Sequence, residues 1–243
     1  MRYAILADVH SNLTALNAVL KDIERRGEVD EFWCLGDIVG YGPEPHKCIE
    51  TLRGLKITAV AGNHDLAAAH KLPLTNFNPD GTAAIRWTQG QITPEDREFL
   101  ASLPKVLEKG SFTLVHGSPR DPVWEYLHSA SSAGASFGYF KTAYCLVGHI
   151  HTPQIFKEDE GECSYVSFKP DIGQILGKNR LIINPGSVGQ PRDGDPRASY
   201  AIYDDEAIIM RLHRVPYDFE ETQRLIMHHN LPVRLALRLK DGQ

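Results

Sequence analysis

Short apolar runs alternate with amphipathic segments along the first sixty residues. The runs Arg2–Ala7, Glu31–Leu35 and Lys56–Val60 are rich in apolar and β-branched residues and are predicted to be buried strands. Between them, apolar residues at helical spacing predict one helix over Leu13–Ile23 and a second from Pro45 to about Arg53. Strands that alternate with helices in this way predict a parallel sheet with right-handed crossovers.

The pattern changes after this point. Residues 66–110 carry loop and helix signals, and we expect there either a helical insertion that lies beside the functional site or a helical layer packed on the sheet. Strands are predicted next over Ser111–Val115 and Ala143–Val147. The remaining elements are predicted to be antiparallel strands and a last helix, over Cys163–Phe168, Arg180–Ile183, Ser199–Tyr203, Ala207–His213 and Tyr217–His229. No linker or repeat divides the chain, so we expect one domain over residues 1–243.

Composition and charge narrow the class of protein. Hydrophobic residues make up 42% of the chain and charged residues 23%, as in ordinary globular proteins. The net charge of -5 disfavours nucleic acid as a partner, because non-specific binding needs a positive surface. No apolar run approaches the roughly 18–20 residues of a membrane span, and Tyr3–Ala7 is too short for a signal-peptide core. We therefore expect a cytoplasmic protein without membrane partners.

The cysteines agree with a reducing compartment. They lie far apart and form no Cys-x-x-Cys pair: Cys34, Cys48, Cys145 and Cys163. We expect them to be small buried residues and not metal ligands. A further cluster over residues 119–141 is aromatic and is predicted either to line a pocket or to belong to the core; it comprises Trp124, Tyr126, Phe137, Tyr139 and Phe140.

Polar side chains follow each of the five predicted parallel strands. In chain order they are Asp8 and His10, then Asp37, then Asn63 and His64, then His116, then His149 and His151. Because the carboxyl ends of parallel strands meet at one edge of a sheet, these side chains are expected to converge on one crevice. In Asp8-x-His10 and His149-x-His151, the alternation of an extended chain would place both donors on the same side.

This donor set indicates a metal site. Carboxylate, amide and imidazole groups together suit Mn²⁺, Fe or Zn²⁺ better than Mg²⁺ or Ca²⁺, which prefer oxygen ligands. The donors exceed the shell of one four-coordinate zinc, so two ions that share Asp37 are the simplest interpretation. His116 alone would be interpreted as a core histidine. The remaining histidines lack such a context and are expected to be structural: His46, His70, His128, His213, His228 and His229.

The order of these motifs resembles the calcineurin-like metallophosphoesterase superfamily. The matching motifs are Asp8-x-His10, Gly36-Asp37, Gly62-Asn63-His64-Asp65, His116-Gly117 and Gly148-His149-x-His151, followed by Asn184-Pro185-Gly186-Ser187. The resemblance covers residues 1–152 motif by motif and points to small prokaryotic phosphoesterases and phosphodiesterases. It implies an α/β fold of two packed mixed sheets flanked by helices, a four-layer αββα sandwich with the metal site at the C-terminal ends of the strands.

The same resemblance implies roles for individual residues. One metal would be held by Asp8, His10, Asp37 and His151, and the other by Asp37, Asn63, His116 and His149. The two ions would activate a bridging hydroxide for in-line attack on phosphorus. His64 would protonate the leaving oxygen, and Asp65 would orient the ring of His64.

The implied function is a metal-dependent phosphatase or phosphodiesterase acting on a phosphorylated small molecule or nucleotide, with manganese as the favoured metal. A serine/threonine protein phosphatase and a dinucleoside polyphosphate hydrolase are alternatives. The Gly-Asp-x-x-Asp-Arg-Gly motif of the protein phosphatases is not matched, because the segment 36–42 has Tyr41 where the motif has Arg. A nuclease is disfavoured by the acidic net charge. A catalytically silent scaffold is disfavoured because every donor position is occupied.

Two residues outside the metal set are predicted to contact substrate. Arg192, in the segment 189–193, carries a guanidinium that can bind a phosphate with two hydrogen bonds. The alternative for Arg192 is a surface ion pair with Asp193 or Asp195. Asn12, in the turn after the first strand, is the second predicted contact, although the same residue can also cap the following helix.

Overall fold

Two six-stranded sheets face each other at the centre of the protein, seen in a computed structural model that describes all 243 residues. The first sheet comprises, from edge to edge, β3 (Thr58–Ala59), β2 (Glu31–Cys34), β1 (Arg2–Leu6), β11 (Ala198–Asp204), β12 (Ile209–Val215) and β9 (Gly173–Ile175). Strands β1, β2 and β3 are parallel, as the sequence predicts. The other three strands are antiparallel to their neighbours.

The second sheet contains the fourth and fifth predicted strands. Its order is β4 (Val106–Lys109), β5 (Phe112–Val115), β6 (Tyr144–Leu146), β10 (Arg180–Asn184), β7 (Gln154–Asp159) and β8 (Glu162–Val166). Strands β5, β6 and β10 are parallel. The expectation that a single parallel sheet supplies all five polar strand ends is therefore wrong, because three ends belong to one sheet and two to the other.

Helices cover both outer faces. The first sheet is covered by α1 (Leu13–Arg25) and α2 (Pro45–Gly54), and between β3 and β4 the chain forms α3 (Asn63–Ala68), α4 (Pro79–Gln91) and α5 (Pro94–Ser102). The second sheet is covered only by α6 (Ala130–Gly134) and a 3₁₀ turn at Phe137–Tyr139. The C-terminus is a hairpin of α7 (Phe219–His228) and α8 (Val233–Asp241). The four-layer sandwich is thus confirmed, with one thin outer layer.

Alternate side chains of β1 pack into two different hydrophobic clusters, one on each face of the first sheet. Ala4 and Leu6 face outward and pack in the cluster that includes α1 and α2. Ile5 faces inward and packs with Phe112 and Leu114 of the second sheet. Because these side chains are almost fully removed from water, each large one contributes about 1.5–3 kcal/mol to folding. The two sheets are therefore fixed rigidly against each other, and their C-terminal edges meet.

Several elements were not predicted from the sequence. They are β4, β7, β9, the short helix α3 at the start of the predicted insertion, and α8 at the C-terminus. Strand β4 falls inside the segment 66–110 and pairs with β5, so that the last part of this segment belongs to the second sheet. All four cysteines are free thiols, and three of them are buried. None of the helices combines the length and apolar character needed to span a membrane.

Candidate metal centre

The predicted donors meet where the two sheets come together. All seven predicted ligands are at least 97% buried: Asp8, His10, Asp37, Asn63, His116, His149 and His151. Those from the first sheet follow β1, β2 and β3, and those from the second follow β5 and β6. The structure therefore brings together every donor that the sequence singled out, from five strand ends and two sheets.

Most of these donor residues have a left-handed backbone conformation and not an extended one. Asp8, His10, Asp37, His149 and His151 have φ angles of 54°, 49°, 52°, 68° and 61°. The expectation that extended alternation aligns the two Asp-x-His and His-x-His donors is wrong. For a residue other than glycine, this conformation carries a backbone strain of the order of 1–3 kcal/mol, so the surrounding structure must hold the residue in place. Backbone hydrogen bonds do so: Asp8 N–H donates to Gly36 O at 3.0 Å, and His10 N–H donates to Asp37 O at 2.9 Å.

His10 and His151 form the first pair of facing imidazoles. Nδ1 of His10 lies 3.1 Å from the Val39 carbonyl, and Nδ1 of His151 lies 2.6 Å from the Gln190 carbonyl. Because a carbonyl oxygen can only accept, both Nδ1 atoms carry the proton in the neutral rings. The two Nε2 atoms, 3.0 Å apart, then present lone pairs to each other. Asp8 Oδ1 lies 3.3 Å from Nε2 of His151, so the group converges on one point.

His116 and His149 repeat this arrangement on the other side of the site. Nδ1 of His116 donates to the Leu35 carbonyl at 2.8 Å, and Nε2 of His149 donates to the Trp124 carbonyl at 3.3 Å. The remaining ring nitrogens of the two histidines lie 3.0 Å apart, and they present lone pairs to each other when both rings are neutral. The Asn63 carbonyl oxygen lies 3.1 Å from Nε2 of His116. Facing lone pairs repel unless a cation lies between them.

Asp37 lies between the two pairs. Its Oδ2 is 3.6 Å from Nε2 of His10 and 3.3 Å from Nε2 of His116, so one carboxylate oxygen reaches both groups. Its Oδ1 accepts the backbone N–H of His64 at 2.9 Å. Gly62 makes this approach possible, because a Cβ there would lie 2.0 Å from Asp37 Oδ1. Glycine is required at position 62 because any side chain there would clash with the Asp37 carboxylate.

The electrostatics of the site match a set of metal ligands. Burial lowers the pKa of His10, His149 and His151, so these rings are neutral and able to bind a cation. Burial would also lower the pKa of His116, but the Asp37 carboxylate raises it to about 9. Burial would raise the pKa of Asp37, but the neighbouring His116 holds it well below its usual range. Without a metal ion, His116 and Asp37 form an ion pair.

His64 lies beside the ligands in a tight aromatic surrounding. Its ring centroid is 4.4 Å from that of Tyr41 and 5.1 Å from that of Phe77. A Cβ at Gly40 would lie 2.2 Å from His64 Nδ1, so Gly40 makes room for the ring. Nδ1 is buried and has no hydrogen-bond partner. Burial lowers the pKa of His64 to about 4, although the nearby Asp37 opposes this shift.

Asp65 does not orient the ring of His64, and that prediction is wrong. The Asp65 carboxylate instead accepts the backbone N–H groups of Val39, at 3.1 Å, and Gly62, at 3.0 Å. Burial and the nearby Asp37 raise the pKa of Asp65 to about 7. Asp65 is thus a positioning residue that ties the loop after β2 to the start of α3.

Asn12 has no polar atom left for a substrate. Its carbonyl oxygen caps α1 by accepting from Ala15 N–H at 3.1 Å and also accepts from the Thr222 hydroxyl at 3.0 Å. Its amide donates to the Gly189 carbonyl at 2.8 Å and to the Tyr217 hydroxyl at 3.3 Å. These contacts contradict the predicted substrate contact and assign Asn12 the alternative role, helix capping.

Arg192 is not paired with the acidic residues next to it. Asp193 is bound by Arg214, and Asp195 is bound by Arg197 at 2.6 Å. The Arg192 guanidinium lies 5.8 Å from the centroid of the Tyr41 ring. The surface ion pair considered as the alternative for Arg192 is therefore absent.

Three aromatic side chains, Phe77, Trp124 and Tyr126, border the site and are called the aromatic rim below. Tyr126 is 43% exposed and stacks on the ring of His149 with centroids 3.9 Å apart. Trp124 packs edge-on against Phe77 at 5.1 Å. Of the aromatic cluster over residues 119–141, Phe137 and Phe140 belong to the core, whereas Tyr139 is exposed, which neither interpretation predicted. Phe77 was missed, and its position in the insertion offered the only signal.

Comparison with known proteins agrees with this geometry. A family model described as the calcineurin-like phosphoesterase superfamily domain matches residues 1–207. The chain belongs to this superfamily. Membership identifies the protein as a phosphoester hydrolase and confirms the resemblance seen in the motifs.

Two relatives match almost the whole chain, and a third matches about half of it. The chain is 45% identical to a metallophosphoesterase from Sphaerobacter thermophilus, whose crystal structure superposes with a TM-score of 0.91 over 100% of this chain and 99% of the other. It is 41% identical to an uncharacterized protein of Methanocaldococcus jannaschii, over 99% of this chain and 98% of that protein. A symmetrical bis(5'-nucleosyl)-tetraphosphatase of Nitrosococcus oceani is 33% identical, but the match spans 54% of this chain and 48% of that protein.

Proposed function

We propose that this superfamily member is a dinuclear, divalent-metal-dependent phosphatase or phosphodiesterase. One ion would be held by Asp8, His10, Asp37 and His151, and the other by Asp37, Asn63, His116 and His149. Mn²⁺ is the favoured metal, with Fe or Zn²⁺ as alternatives, because the donor set mixes imidazole with oxygen.

One observation carries this proposal: two pairs of imidazole nitrogens face each other with their lone pairs at 3.0 Å, and one carboxylate oxygen reaches both pairs. The carbonyl partners of His10, His116, His149 and His151 fix the ring tautomers and leave the inner nitrogens free. With neutral rings, such an arrangement favours one cation at each pair. Bound divalent ions would supply neutralisation of phosphoryl charge and an activated water for in-line displacement.

Two residues outside the ligand set contribute to the reaction. His64, buried beside Asp37 and His10, is proposed as the acid that protonates the leaving oxygen. Its lowered pKa means that it must take up this proton when the negatively charged substrate enters. Arg192 is proposed to bind a phosphoryl oxygen. Its guanidinium lies over the ring of Tyr41, which occupies the position of the arginine in the protein-phosphatase motif. A guanidinium from another loop is therefore present in the region where that motif has one.

The aromatic rim favours a nucleotide substrate. Bases stack on exposed aromatic rings for about 1–3 kcal/mol each, and Tyr126 offers such a ring directly beside a ligand of the second metal. The match to symmetrical bis(5'-nucleosyl)-tetraphosphatases supports the same substrate class. Among the alternatives, we therefore favour dinucleoside polyphosphate hydrolysis over protein phosphatase activity.

A substrate panel tests this proposal. The enzyme loaded with Mn²⁺ is assayed with p-nitrophenyl phosphate, bis-p-nitrophenyl phosphate, a phosphopeptide and diadenosine tetraphosphate, and an Asp37→Asn variant purified in parallel controls for contaminating phosphatases. We expect the highest kcat/KM for diadenosine tetraphosphate. Highest activity on the phosphopeptide would overturn the substrate assignment, and equal rates for Asp37→Asn and the parent would overturn the dinuclear site.

A further inference from the structure

Arg192 is a half-buried cation that the protein itself does not neutralise. Both neighbouring carboxylates, on Asp193 and Asp195, are bound by other arginines. The only side-chain hydrogen bond of Arg192 runs from Nη2 to the Gln190 amide oxygen at 2.9 Å. Its Nε is buried and has no partner. An unsatisfied buried donor of this kind costs about 1–3 kcal/mol, and more when it is charged.

A second arginine that forms no ion pair with an Asp or Glu side chain lies close by. Arg238, on α8, is half-buried, and its Nε donates to the main-chain oxygen of Gln243. Burial, and after it the positive charge of Arg192, lower the pKa of Arg238 to about 10. The Arg192 guanidinium itself lies 5.8 Å from the centroid of the Tyr41 ring. Two like charges therefore share one partly dehydrated region.

The protein holds these two arginines in place. On either side of Arg238, Leu235 and Leu239 of α8 pack in one apolar cluster with Tyr41. The loop that follows Arg192 is joined to the end of α8 by a hydrogen bond from Gly194 N–H to Gly242 O at 3.0 Å. The juxtaposition is therefore built by packing and is not a chance approach of two surface side chains.

This region adjoins the metal centre. The ring of Tyr41 is 4.7 Å from that of His10 and 4.4 Å from that of His64, and the Arg192 N–H donates to the His151 carbonyl at 3.2 Å. A polyphosphate chain with one phosphate at the proposed ligands and its next phosphates directed past Tyr41 would meet these guanidinium groups. Guanidinium groups bind phosphate oxygens with paired, charge-assisted hydrogen bonds.

We propose that Arg192 and Arg238 form a second anion subsite that binds the phosphates next to the scissile one in a polyphosphate substrate. The subsite rests on the proposed function for its place in catalysis, but its affinity for polyphosphate does not depend on turnover. The subsite gives α8, which lies outside the family motifs, a role in the preference for polyphosphates over monoesters.

Binding to the metal-free protein tests the subsite alone. The full chain is stripped of metal with EDTA and titrated with inorganic tripolyphosphate by calorimetry. We expect Arg238→Gln to weaken binding at least tenfold and Arg238→Lys to weaken it less, because lysine keeps the charge. Arg234→Gln is the matched control, since Arg234 lies one turn earlier on α8 and is exposed. Equal affinity of Arg238→Gln and the parent, or an equal loss in Arg234→Gln, would overturn the proposal.

Kinetics then separates the subsite from the proposed function. The measured quantity is the ratio of kcat/KM on diadenosine tetraphosphate to kcat/KM on p-nitrophenyl phosphate, with melting curves to verify folding. We expect Arg238→Gln to lower this ratio at least tenfold, mainly through KM. An unchanged ratio contradicts the subsite. Absence of hydrolysis of both substrates by the parent enzyme contradicts the proposed function, while the tripolyphosphate titration still decides on the subsite.

Discussion

Asp65 accepts a hydrogen bond from the backbone N–H of Val39 across 3.1 Å, in the loop that carries Asp37, the proposed shared ligand. The other Asp65 oxygen accepts from Gly62 N–H at 3.0 Å. The carboxylate is fully buried and makes no hydrogen bond to Nδ1 of His64. One side chain thus joins the loop after β2 to the first turn of α3, and the position of Asp37 depends on it.

Replacing Asp65 by Asn is expected to destabilise the fold. The amide offers one acceptor where the carboxylate offers two, so one buried N–H loses its partner, at a cost of roughly 1–3 kcal/mol. Urea unfolding of the metal-free protein measures this loss. If stability stayed unchanged while kcat fell only for substrates with poor leaving groups, Asp65 would act through His64 after all.

Replacing Asp37 by Asn is expected to lower the occupancy of both metal sites and to abolish turnover. One Asp37 oxygen reaches both histidine pairs, and an amide cannot supply the negative charge that two cations need. Metal content per chain, measured by mass spectrometry on parent and variant, provides the readout. A single ion per active parent chain would contradict the two-metal centre.

Replacing His64 by Ala is expected to leave metal content intact and to slow the reaction according to the leaving group. General acid catalysis is worth about 10²–10⁴-fold, and it matters only when the leaving oxygen needs a proton. An alkyl phosphate should therefore lose a factor in that range, and p-nitrophenyl phosphate much less. Equal losses on both substrates would contradict the acid role, and loss of metal would assign His64 to the ligands instead.

Removing the metal is expected to lower thermal stability, because the ligands come from both sheets and the ions join them. A ligand present at 100 times its dissociation constant stabilises by about 2.7 kcal/mol. For a chain of this size that corresponds to a shift in melting temperature of roughly 5–11 °C. Scanning calorimetry with Mn²⁺ and with EDTA checks this, and Asp37→Asn should show a smaller shift. Identical curves with and without metal would argue against a cross-link between the sheets.

Stability should depend on pH through Asp22 of α1. Burial would raise the pKa of Asp22, but hydrogen bonds from Arg26, at 2.6 Å, and Tyr200, at 2.8 Å, lower it overall. A lowered pKa in the folded state stabilises above the unfolded value of about 3.9 and loses this effect as pH falls through the folded value. The stability difference between parent and Asp22→Asn in urea should therefore shrink between pH 6 and pH 3. A constant difference would mean that the charge is unimportant.

The sequence was sufficient to identify the donor side chains of the site, but not to predict the sheets and the backbone conformations that position them. Asp8, His10 and the other donors were identified because each follows a strongly apolar strand, and strand ends are easily recognised. Which sheet a strand joins depends on long-range pairing, and so β5 and β6 were wrongly expected in the same parallel sheet as β1. Local backbone was also misjudged, because nothing in an Asp-x-His pattern distinguishes an extended chain from a left-handed turn.

Side-chain partners were the hardest to predict. Asp65 follows His64 directly, which suggested a contact, but the first turn of α3 points its carboxylate back to Gly62 and Val39. The pairing of Asp193 with Arg214 joins residues in a loop and in β12, and it could not be inferred from the segment around Arg192. Helix α8 was missed, although Leu235, Ala236 and Leu239 follow a helical spacing.

The left-handed backbone at Asp8, His10, Asp37, His149 and His151 has a consequence for protein engineering. Glycine or asparagine adopts this conformation more easily, and either would also relieve the crowding of buried charges in the absence of metal. A library of variants selected only for thermal stability in the absence of metal should therefore accumulate such substitutions at these positions. Laboratory evolution of a more stable enzyme would need metal in the selection, or a simultaneous selection for turnover, to retain the proposed metal ligands.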